Sequence, residues 1–371
     1  MEPRVVMCVD FDYFFAQCEE VRNPSLRDKP VVVCVYSGRT EESGAVSTAN
    51  YLARRYGVKS GMPIYLAKKK LQHTDAVFLP VDRESYEKTS EAAMVILRSF
   101  ADRFEQAGID EAYLDVSQRT GGSFEEARKM AQAIKSEVRR QRGLSCTVGV
   151  GPNKLVAKIA VDAQKPDGLT VVSPEQVEKF LSPLPVRRLL GVGAKTEQKL
   201  QALGIRTIGE LARFDVQELA GIFGKTLGGY FHRAAMGVND EPVEERGEAE
   251  SMSRIITLKE DTRNLDLIAT RTDELCDEIH ARLVRSGLVF RSVGIAAVMK
   301  DLSIHSKSQT LEDYTDEVDV IKKVSKELFQ ELLNEFEIDV RRVGVKVSKL
   351  ADKGVKQRQI TEYSSISAEV E

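Results

Sequence analysis

The feature that most restricts this sequence is the segment Ile109–Asp115, where two adjacent carboxylates, Asp110 and Glu111, precede an alternating apolar stretch. Such alternation predicts a short β-strand. Neighbouring side chains of a strand point to opposite faces, so a turn or bulge is needed before both acids can reach one site. Gly108 could supply that turn. Two close carboxylates repel by about 4 kcal/mol near a protein surface, which favours a shared proton or a divalent cation. Solvated acids at a hairpin end are the alternative.

A third acid follows an apolar run near the N-terminus. The apolar run at residues 4–9 is followed directly by Asp10. Such a run predicts a buried central strand with a carboxylate at its C-terminal end. Asp10, Asp110 and Glu111 would then lie on neighbouring strands of one sheet. Three acids placed in this way suit a two-metal phosphoryl-transfer site, in which two Mg²⁺ ions activate the attacking oxygen and hold the leaving phosphate.

Composition argues against several other kinds of chemistry. The five cysteines are widely spaced and include no Cys-x-x-Cys pair, which predicts free, mostly buried thiols and no structural zinc. Four scattered histidines leave little for a His-based triad or a zinc-bound water. There is no apolar run long enough to cross a membrane and no signal-peptide pattern, so we expect a soluble, cytoplasmic protein. The net charge of −3 does not by itself suggest a nucleic-acid partner.

The first part of the chain alternates strands and helices, which predicts an α+β sheet domain that closes near Val172. The expected elements are a helix over 13–21, a strand over 31–36, a helix that starts near Ser47, a long helix over about 85–104, the acid-bearing strand to about Val116, a helix over 123–140 and a strand over 145–150. Asp12 is expected to cap the first helix.

The second part is predicted to contain a helical module, a linker and a third domain. A boundary falls at residues 182–185, and glycine-punctuated helices continue to Gly237. Residues 239–250 have almost no apolar content and predict an exposed linker. The third domain is a small α+β sheet with two helices. Its expected order is strand 253–258, helix 265–286, strand 292–300, strand 306–311, helix 319–336 and strand 340–348.

Side chains suited to a nucleotide follow the first strand. Tyr13, Phe14 and Phe15 come soon after Asp10. Ordinary core packing is the preferred interpretation for Phe14. A rigid ring at Phe15, beside a metal-bound nucleotide, would exclude a ribose 2′-hydroxyl by contact.

Three further polar residues recur at i, i+3 and i+6. Thr48, Tyr51 and Arg54 are expected near one face of a helix, where two hydroxyls and a guanidinium would cradle a triphosphate. A solvated helix face is the alternative interpretation.

Two segments are candidates for phosphate contact. Lys154 and Lys158 recur at i and i+4 and predict either a phosphate-facing or a solvated basic edge. Gly191, Gly193 and Lys195 lie between two short helices, in the form of a helix-hairpin-helix. Glycines in such a turn let backbone N–H groups approach a phosphate without reading sequence.

Four segments resemble, in order, motifs of the Y-family (translesion) DNA polymerases, in the archaeal and bacterial DNA polymerase IV-like branch. These segments are residues 9–16, 45–54, 109–115 and 153–160. The resemblance implies a right-hand polymerase with a ferredoxin-like palm, small fingers, a helical thumb and a C-terminal α+β little finger. The implied boundaries are 1–22 and 80–172 for the palm, 23–79 for the fingers, 173–238 for the thumb, 239–251 for the linker, 252–350 for the little finger and 351–371 for a flexible tail.

The resemblance also implies roles for individual residues. Asp10 and Asp110 match the metal-binding aspartates, Glu111 matches the adjacent catalytic acid, and the Phe11 carbonyl would face a metal. Phe15 matches the steric gate against ribonucleotides. The implied nucleotide-binding residues are Tyr13, Phe14, Phe15, Thr48, Tyr51, Arg54 and Lys165. The implied cofactor is two Mg²⁺ ions per site, and the implied partners of a monomeric enzyme are dNTP and primer-template DNA.

Several features depart from the family pattern. Gly108 stands where many relatives have Ser, and the linker is acidic. Residues 251–358 carry equal numbers of basic and acidic side chains, so a DNA-binding face must come from clustering. The candidates for this face are Arg341, Arg342, Lys346 and Lys349. In the tail, Gln357, Ile360 and Tyr363 have a spacing that resembles a clamp-binding peptide. Ser364 stands where such a peptide has its last aromatic residue.

The function expected from these observations is a template-directed DNA polymerase of low fidelity and low processivity. It would add dNMP to a primer 3′-hydroxyl, bypass damaged bases and lack a proofreading exonuclease. Two alternatives are a nucleotidyl cyclase on a similar palm and a non-catalytic DNA-binding protein that recruits a polymerase. The thumb-like module and third domain argue against the cyclase, and the intact acids argue against loss of catalysis.

Overall fold

The structure, a computed structural model, describes residues 4–245, 247 and 250–353. Its strands are β1 (Val6–Phe11), β2 (Val31–Tyr36), β3 (Gly44–Ala49), β4 (Val77–Pro80), β5 (Arg103–Gln106), β6 (Glu111–Asp115), β7 (Cys146–Gly151), β8 (Leu169–Val171), β9 (Ser251–Thr262), β10 (Leu288–Met299), β11 (Ile304–Thr315), β12 (Val340–Ser348) and β13 (Ala351–Asp352).

The helices of the described residues follow the same chain order, and none of them is long and apolar enough to cross a membrane. They are α1 (Phe14–Arg22), α2 (Tyr51–Arg55), α3 (Ile64–Leu71), α4 (Arg83–Ser99), α5 (Ser117–Thr120), α6 (Phe124–Arg142), α7 (Lys154–Val161), α8 (Val177–Leu181), α9 (Ala194–Ala202), α10 (Ile208–Arg213), α11 (Val216–Phe223), α12 (Lys225–Ala235), α13 (Leu265–Ser286) and α14 (Val318–Glu335).

The chain forms two compact units. One unit holds the residues up to Cys34, then Val46–Met62, and then the chain from Leu66 to the linker; the other holds Val35–Ala45, Pro63–Tyr65 and the chain beyond the linker. The finer boundaries expected for palm, fingers, thumb, linker and little finger stay predictions.

The central sheet of the first unit has the strand order β5-β6-β1-β7-β8. Strand β1 is antiparallel to both β6 and β7, and all six of its residues are buried. Its alternate side chains enter two cores: Met7 and Val9 join the core that includes helices α4 and α6, while Val6 and Cys8 pack with residues of α7. A strand covered on both faces explains the continuous apolar run in the sequence. A Cβ on Gly149 of β7 would collide with the backbone of α7, so this position requires glycine.

Two sequence predictions in this unit are wrong. The helix expected over 85–104 ends at Ser99, because the chain turns and forms β5, which pairs with β6 and buries Phe104. The helix expected near Ser47 is the strand β3, and α2 begins only after its capping residue Asn50. In both cases pairing with another strand sets the local structure.

The helices α8 to α12 form the thumb-like module and share a core with α7 that includes Leu200, Leu211 and Phe231. The linker prediction is wrong for one residue: Val243 is 1% exposed and packs with Val6, Cys8 and other residues of the central sheet. Polar contacts hold the same stretch as well: Glu241 lies 2.7 Å from Lys154, and its carbonyl oxygen accepts a 2.7 Å hydrogen bond from Arg4.

The C-terminal domain is an antiparallel sheet with the strand order β11-β10-β12-β9. Its buried positions alternate along β10 and β12, and they share one core with α13 and α14. The two-helix α+β domain is thus as predicted, with β9, β10 and β11 longer than expected. In the predicted tail, β13 pairs with the start of β10, and residues 354–371 lie outside the described part.

Candidate active site

The register of the central sheet brings together two of the three candidate acids, Asp10 and Glu111. Asp10 of β1 lies directly opposite Glu111 of β6, so both side chains project from the same face. Asp110 precedes β6 in a turn, and its carbonyl oxygen accepts a 2.8 Å hydrogen bond from the Phe11 N–H. The turn that the sequence required before the two adjacent acids is therefore present.

Gly108 is not needed for that turn. The N–H groups of Ala107 and Gly108 donate to the Glu111 carbonyl at 3.0 and 3.1 Å. A Cβ added at Gly108 would come no closer than 3.5 Å to a neighbour, which is ordinary contact. The prediction that glycine supplies the turn's freedom is wrong, and a serine would fit there.

Two lysines contact Asp10 and Glu111. Lys158 of α7 donates to Glu111 and lies 3.3 Å from Asp10, and Lys165 Nζ lies 2.7 Å from the other oxygen of Asp10. Burial raises the pKa of Asp110, and repulsion from Asp10 raises it further. Burial alone would lower the pKa of Lys158, but Cys8, Glu111 and Asp10 hold that pKa above its ordinary value.

The two lysines predicted to form one basic edge have separate environments. Lys158 belongs to the acid cluster, whereas Lys154 is buried and lies 2.7 Å from both Glu105 and Glu241. The prediction of a phosphate-facing or solvated edge is wrong for both. Carboxylates from strands of the sheet and from the linker lie beside this face of α7, and the helix sequence alone could not reveal them.

The donors near the acid cluster are of the type that hard divalent cations prefer, since they are carboxylates with a backbone carbonyl at Phe11. Asp10, Phe11 and Asp110 all line one cleft. Within the described ranges, however, no three His, Cys, Asp or Glu side chains converge closely enough to hold a metal ion. The donor chemistry therefore fits a divalent metal, while lysine ammonium groups contact the carboxylates.

Asp12 has a role that the sequence reasoning missed. Its fully buried carboxylate accepts hydrogen bonds from Ser145 Oγ at 2.8 Å, Thr147 Oγ1 at 2.7 Å and the Asp167 N–H at 3.0 Å. It does not cap α1, whose N-terminal capping position is Tyr13. Asp12 instead fastens the segment after Lys165 to the end of β1. The i, i+2 spacing from Asp10 was the available signal, since such residues share one face of a strand.

The cleft beside the acids has a volume of about 240 Å³ and brings together the residues predicted to contact a nucleotide. It also includes Ser60, which the sequence reasoning did not single out. Its lining residues are Asp10, Phe11, Asp12, Tyr13, Phe14, Phe15, Ser47, Thr48, Tyr51, Arg54, Ser60, Asp110 and Lys165.

We call four residues of this lining the cradle, namely Tyr13, Thr48, Tyr51 and Arg54, and we call Asp10, Asp110 and the adjacent Glu111 the acid end. Thr48 lies on β3 and the next two on α2, so the prediction that they share one helix face is wrong, although they do meet. The Tyr13 and Tyr51 rings pack edge to face at 5.4 Å, and the Arg54 guanidinium lies 4.9 Å above the Tyr51 ring. Burial raises the pKa of Tyr51.

The two phenylalanines of the cleft differ in burial. Phe14 is 2% exposed and belongs to the main core, as the sequence predicted. Phe15 is only partly buried and stacks on Tyr86 with centroids 4.6 Å apart. The Tyr86 hydroxyl donates a 2.6 Å hydrogen bond to Glu19. The Phe15 ring is therefore backed by a second ring that is itself held in place.

The candidate DNA-contact residues do not line the cleft. In the thumb hairpin, Gly191 has φ +83, and α9 starts directly after Gly193. Lys195 is exposed in the first turn of α9. A 3₁₀ turn precedes this hairpin, where the sequence predicts a helix. Arg342 and Lys346 are exposed on β12. The remaining candidates are Arg341, 3.7 Å from Asp261, and Lys349, which donates to Thr310. The predicted clamp-binding residues Gln357, Ile360 and Tyr363 lie outside the described residues.

Family models match most of the chain. The impB/mucB/samB family matches residues 9–162, its C-terminal domain matches 249–361, and a DNA polymerase-iota thumb domain matches 187–239.

Among curated proteins, the chain is 48% identical to DNA polymerase IV of Nitrosopumilus maritimus, over 98% of this chain and 100% of that protein. It is 38% identical to DNA polymerase IV of Saccharolobus solfataricus, over 94% of this chain and 97% of that protein.

Solved structures agree with these relatives. The chain matches the Y-family DNA polymerase chimera Dbh-Dpo4(243-245)-Dbh with a TM-score of 0.89 and 39% identity, covering 94% of this chain and 99% of that one. It matches an insertion ternary complex of Dbh DNA polymerase with a TM-score of 0.67 and 38% identity, with the same coverage. The chain therefore belongs to the Y family of DNA polymerases.

Proposed function

We propose that the cleft is where this enzyme joins a nucleotide to a primer, with the acids at one end and the cradle at the other. The chain is a DNA-directed DNA polymerase of the translesion type. One observation carries the assignment of the site: Asp10 faces Glu111 across the central strands, and Asp10 and Asp110 line the same cleft as Thr48, Tyr51 and Arg54.

Its family implies a divalent metal, and Mg²⁺ is the ion that we propose, two per site. The carboxylates of Asp10, Asp110 and Glu111 and the Phe11 carbonyl would hold it. An ion held there would supply activation of the attacking 3′-hydroxyl and stabilisation of charge on the leaving pyrophosphate.

The remaining cleft residues bind and select the dNTP. Arg54 and Lys165 provide positive charge for the triphosphate, and Thr48 and Tyr51 provide hydroxyl donors. The ring of Phe15, backed by Tyr86, excludes a ribose 2′-hydroxyl. A small, open site selects weakly by shape, which supports low fidelity, low processivity and tolerance of damaged templates.

The partners proposed beyond the nucleotide are primer-template DNA and a sliding clamp. The thumb hairpin with Gly191, Gly193 and Lys195 would contact the DNA backbone, as would Arg342 and Lys346 of the C-terminal sheet. The tail residues Gln357, Ile360 and Tyr363 would bind the clamp. The five cysteines are buried and form no disulfide, which suits a reducing compartment such as the cytoplasm, and we propose that the enzyme acts there as a monomer.

Primer extension tests this function. Native protein should extend a primer on undamaged and abasic templates with Mg²⁺, whereas Asp110→Ala/Glu111→Ala should bind the same DNA without extending it. If the native protein bound primer-template but extended neither, a non-catalytic DNA-binding protein would be the better description.

A further inference from the structure

A buried acid on α1 connects the two walls of the cradle. One wall is Tyr13, and the other is the helix α2 with Tyr51 and Arg54. Glu20 is 7% exposed, and neither the sequence motifs nor the cleft lining singles it out. Its carboxylate accepts a 3.0 Å hydrogen bond from the Tyr13 hydroxyl and a 2.8 Å hydrogen bond from Asn50 Nδ2. Tyr13 has φ 36, a left-handed conformation that costs energy for a residue other than glycine. The hydrogen bond from its hydroxyl to Glu20 ties the Tyr13 side chain to α1.

The second partner of Glu20 is fixed on every side. Asn50 Oδ1 accepts from the N–H groups of Val31 and Ala53, both at 3.0 Å, and Nδ2 also donates to the Lys29 carbonyl at 2.8 Å. Asn50 is the N-cap of α2. Because α2 has only five residues, its position depends on this cap more than on its own hydrogen bonds.

Glu20 thus bonds directly to Tyr13 and, through Asn50, to the helix that carries Tyr51 and Arg54. The same two walls also touch directly, since the rings of Tyr13 and Tyr51 pack edge to face. Burial opposes the charge of this acid and raises its pKa. An apolar side chain of the same length would avoid that cost, so packing alone does not account for a carboxylate here.

We propose that Glu20 is a positioning residue that fixes Tyr13 relative to α2 and thereby sets the affinity of the cradle for the incoming nucleotide. This inference rests on the proposed function, because it takes Tyr13, Tyr51 and Arg54 as nucleotide contacts. Glu20 itself does not touch the nucleotide.

The test compares Glu20→Met, which keeps the length but cannot accept a hydrogen bond, with Glu20→Gln. The glutamine carbonyl can accept from Asn50 while its NH₂ group donates to the Tyr13 hydroxyl, which can rotate to accept. In single-nucleotide incorporation on undamaged primer-template, Glu20→Met should raise the dNTP KM about tenfold with kcat nearly unchanged. Glu20→Gln should stay within about twofold of the native KM.

Two controls separate positioning from general loosening of the fold. Ile134→Val removes a methyl group from α6 in the same core and should lower the Tm without changing KM. In the background of Tyr13→Phe, Glu20→Met should raise KM less than it does in the native protein, because one of its two bonds is already absent.

Three outcomes would overturn the proposal: an unchanged KM for Glu20→Met, a Glu20→Gln variant as impaired as Glu20→Met, or an equal rise in KM for Ile134→Val. Arg54→Ala, measured alongside, separates a failure of the role of Glu20 from a failure of the cradle as the nucleotide-binding site. If Arg54→Ala raises KM and Glu20→Met does not, only the role of Glu20 fails. If neither raises KM, the assignment of the cradle fails as well.

Discussion

The two ends of the cleft are held in place by different interactions. At the acid end, Asp10 and Glu111 are fixed by backbone pairing between two central strands, and nearby lysines balance their charge. At the cradle end, Tyr51 and Arg54 lie on a five-residue helix whose cap is held by side-chain hydrogen bonds. A sheet register cannot shift by one residue without turning buried side chains outward, whereas side-chain bonds can change singly.

The enzyme should therefore tolerate variation differently at the two ends. The acid end should be rigid, because its acids depend on the pairing of β1 with β6. A change there should therefore abolish the reaction and not adjust its rate. The cradle should be adjustable, because single substitutions can alter how tightly it binds a nucleotide while the acids stay in place. Substitutions at the acid end should therefore affect chemistry, and substitutions in the cradle should affect nucleotide binding.

Loss of the acid opposite Asp10 should break catalysis without breaking binding. We expect Glu111→Gln to lower kcat for dNTP incorporation by about 100- to 1000-fold, because charge stabilisation in the reacting state is lost. Its KM and its affinity for primer-template, measured by fluorescence anisotropy, should change little. Glu125→Gln on the exposed start of α6 is the control and should behave as native. A Glu111→Gln enzyme with native kcat would contradict the role of the acid end.

Removal of the cradle cation should affect binding instead. We expect Arg54→Ala to raise the dNTP KM by about 10- to 100-fold, the amount expected for a lost charged hydrogen bond. Incorporation kinetics over a range of dNTP concentrations provide the measurement. Arg55→Ala on the same helix should leave KM unchanged, since Arg55 does not line the cleft. Equal effects of the two variants would show that general positive charge matters, not the cradle.

Between the two ends, Phe15 should govern the choice of sugar. We expect Phe15→Val to reduce the preference for dNTP over rNTP by about 10- to 100-fold, because the smaller side chain leaves room for a 2′-hydroxyl. The ratio of kcat/KM for the two nucleotides measures this effect. An unchanged ratio would place the steric gate elsewhere in the cleft.

The smallest effect should come from removing a lysine that offsets the negative charge of the acid end. We expect Lys158→Met to lower the Tm of the metal-free protein by about 2–4 °C, because Asp10 and Glu111 lose a cation. Added Mg²⁺ should then stabilise the variant more than the native protein. Thermal melts with and without Mg²⁺ test this, with Lys88→Met on the exposed face of α4 as the control. The same Mg²⁺ response in both proteins would mean that Lys158 does not offset the repulsion.

Sequence reasoning located the acid end well because its signals are local. An apolar run that ends in Asp10 and an alternating stretch after Glu111 both describe strands, and the structure pairs them with these acids opposite each other. It identified the residues of the cradle but not the secondary structure on which they lie, since Thr48 is on a strand and not on a helix. The extended conformation of β3 depends on contacts such as the Val46 N–H with the Met62 carbonyl, which a local pattern does not contain.

The residues that support the site could not be found from the sequence alone. Lys158 and Lys154 have the same chemistry and helical spacing, yet only Lys158 reaches the acid end, because different segments lie beside each one. Asp12 looked like a helix cap, but its partners are 133 and more residues away in sequence. Such roles arise from tertiary contacts, which spacing does not encode.

The most direct test of this division is the double variant Glu111→Gln/Arg54→Ala, measured by single-turnover incorporation at several dNTP concentrations. If the acid end performs chemistry and the cradle performs binding, the double variant should combine the low rate of Glu111→Gln with the weak dNTP binding of Arg54→Ala. If Glu111→Gln instead weakened dNTP binding, or Arg54→Ala lowered the saturated rate as strongly as Glu111→Gln does, the two ends would not have separate roles and the account would be wrong.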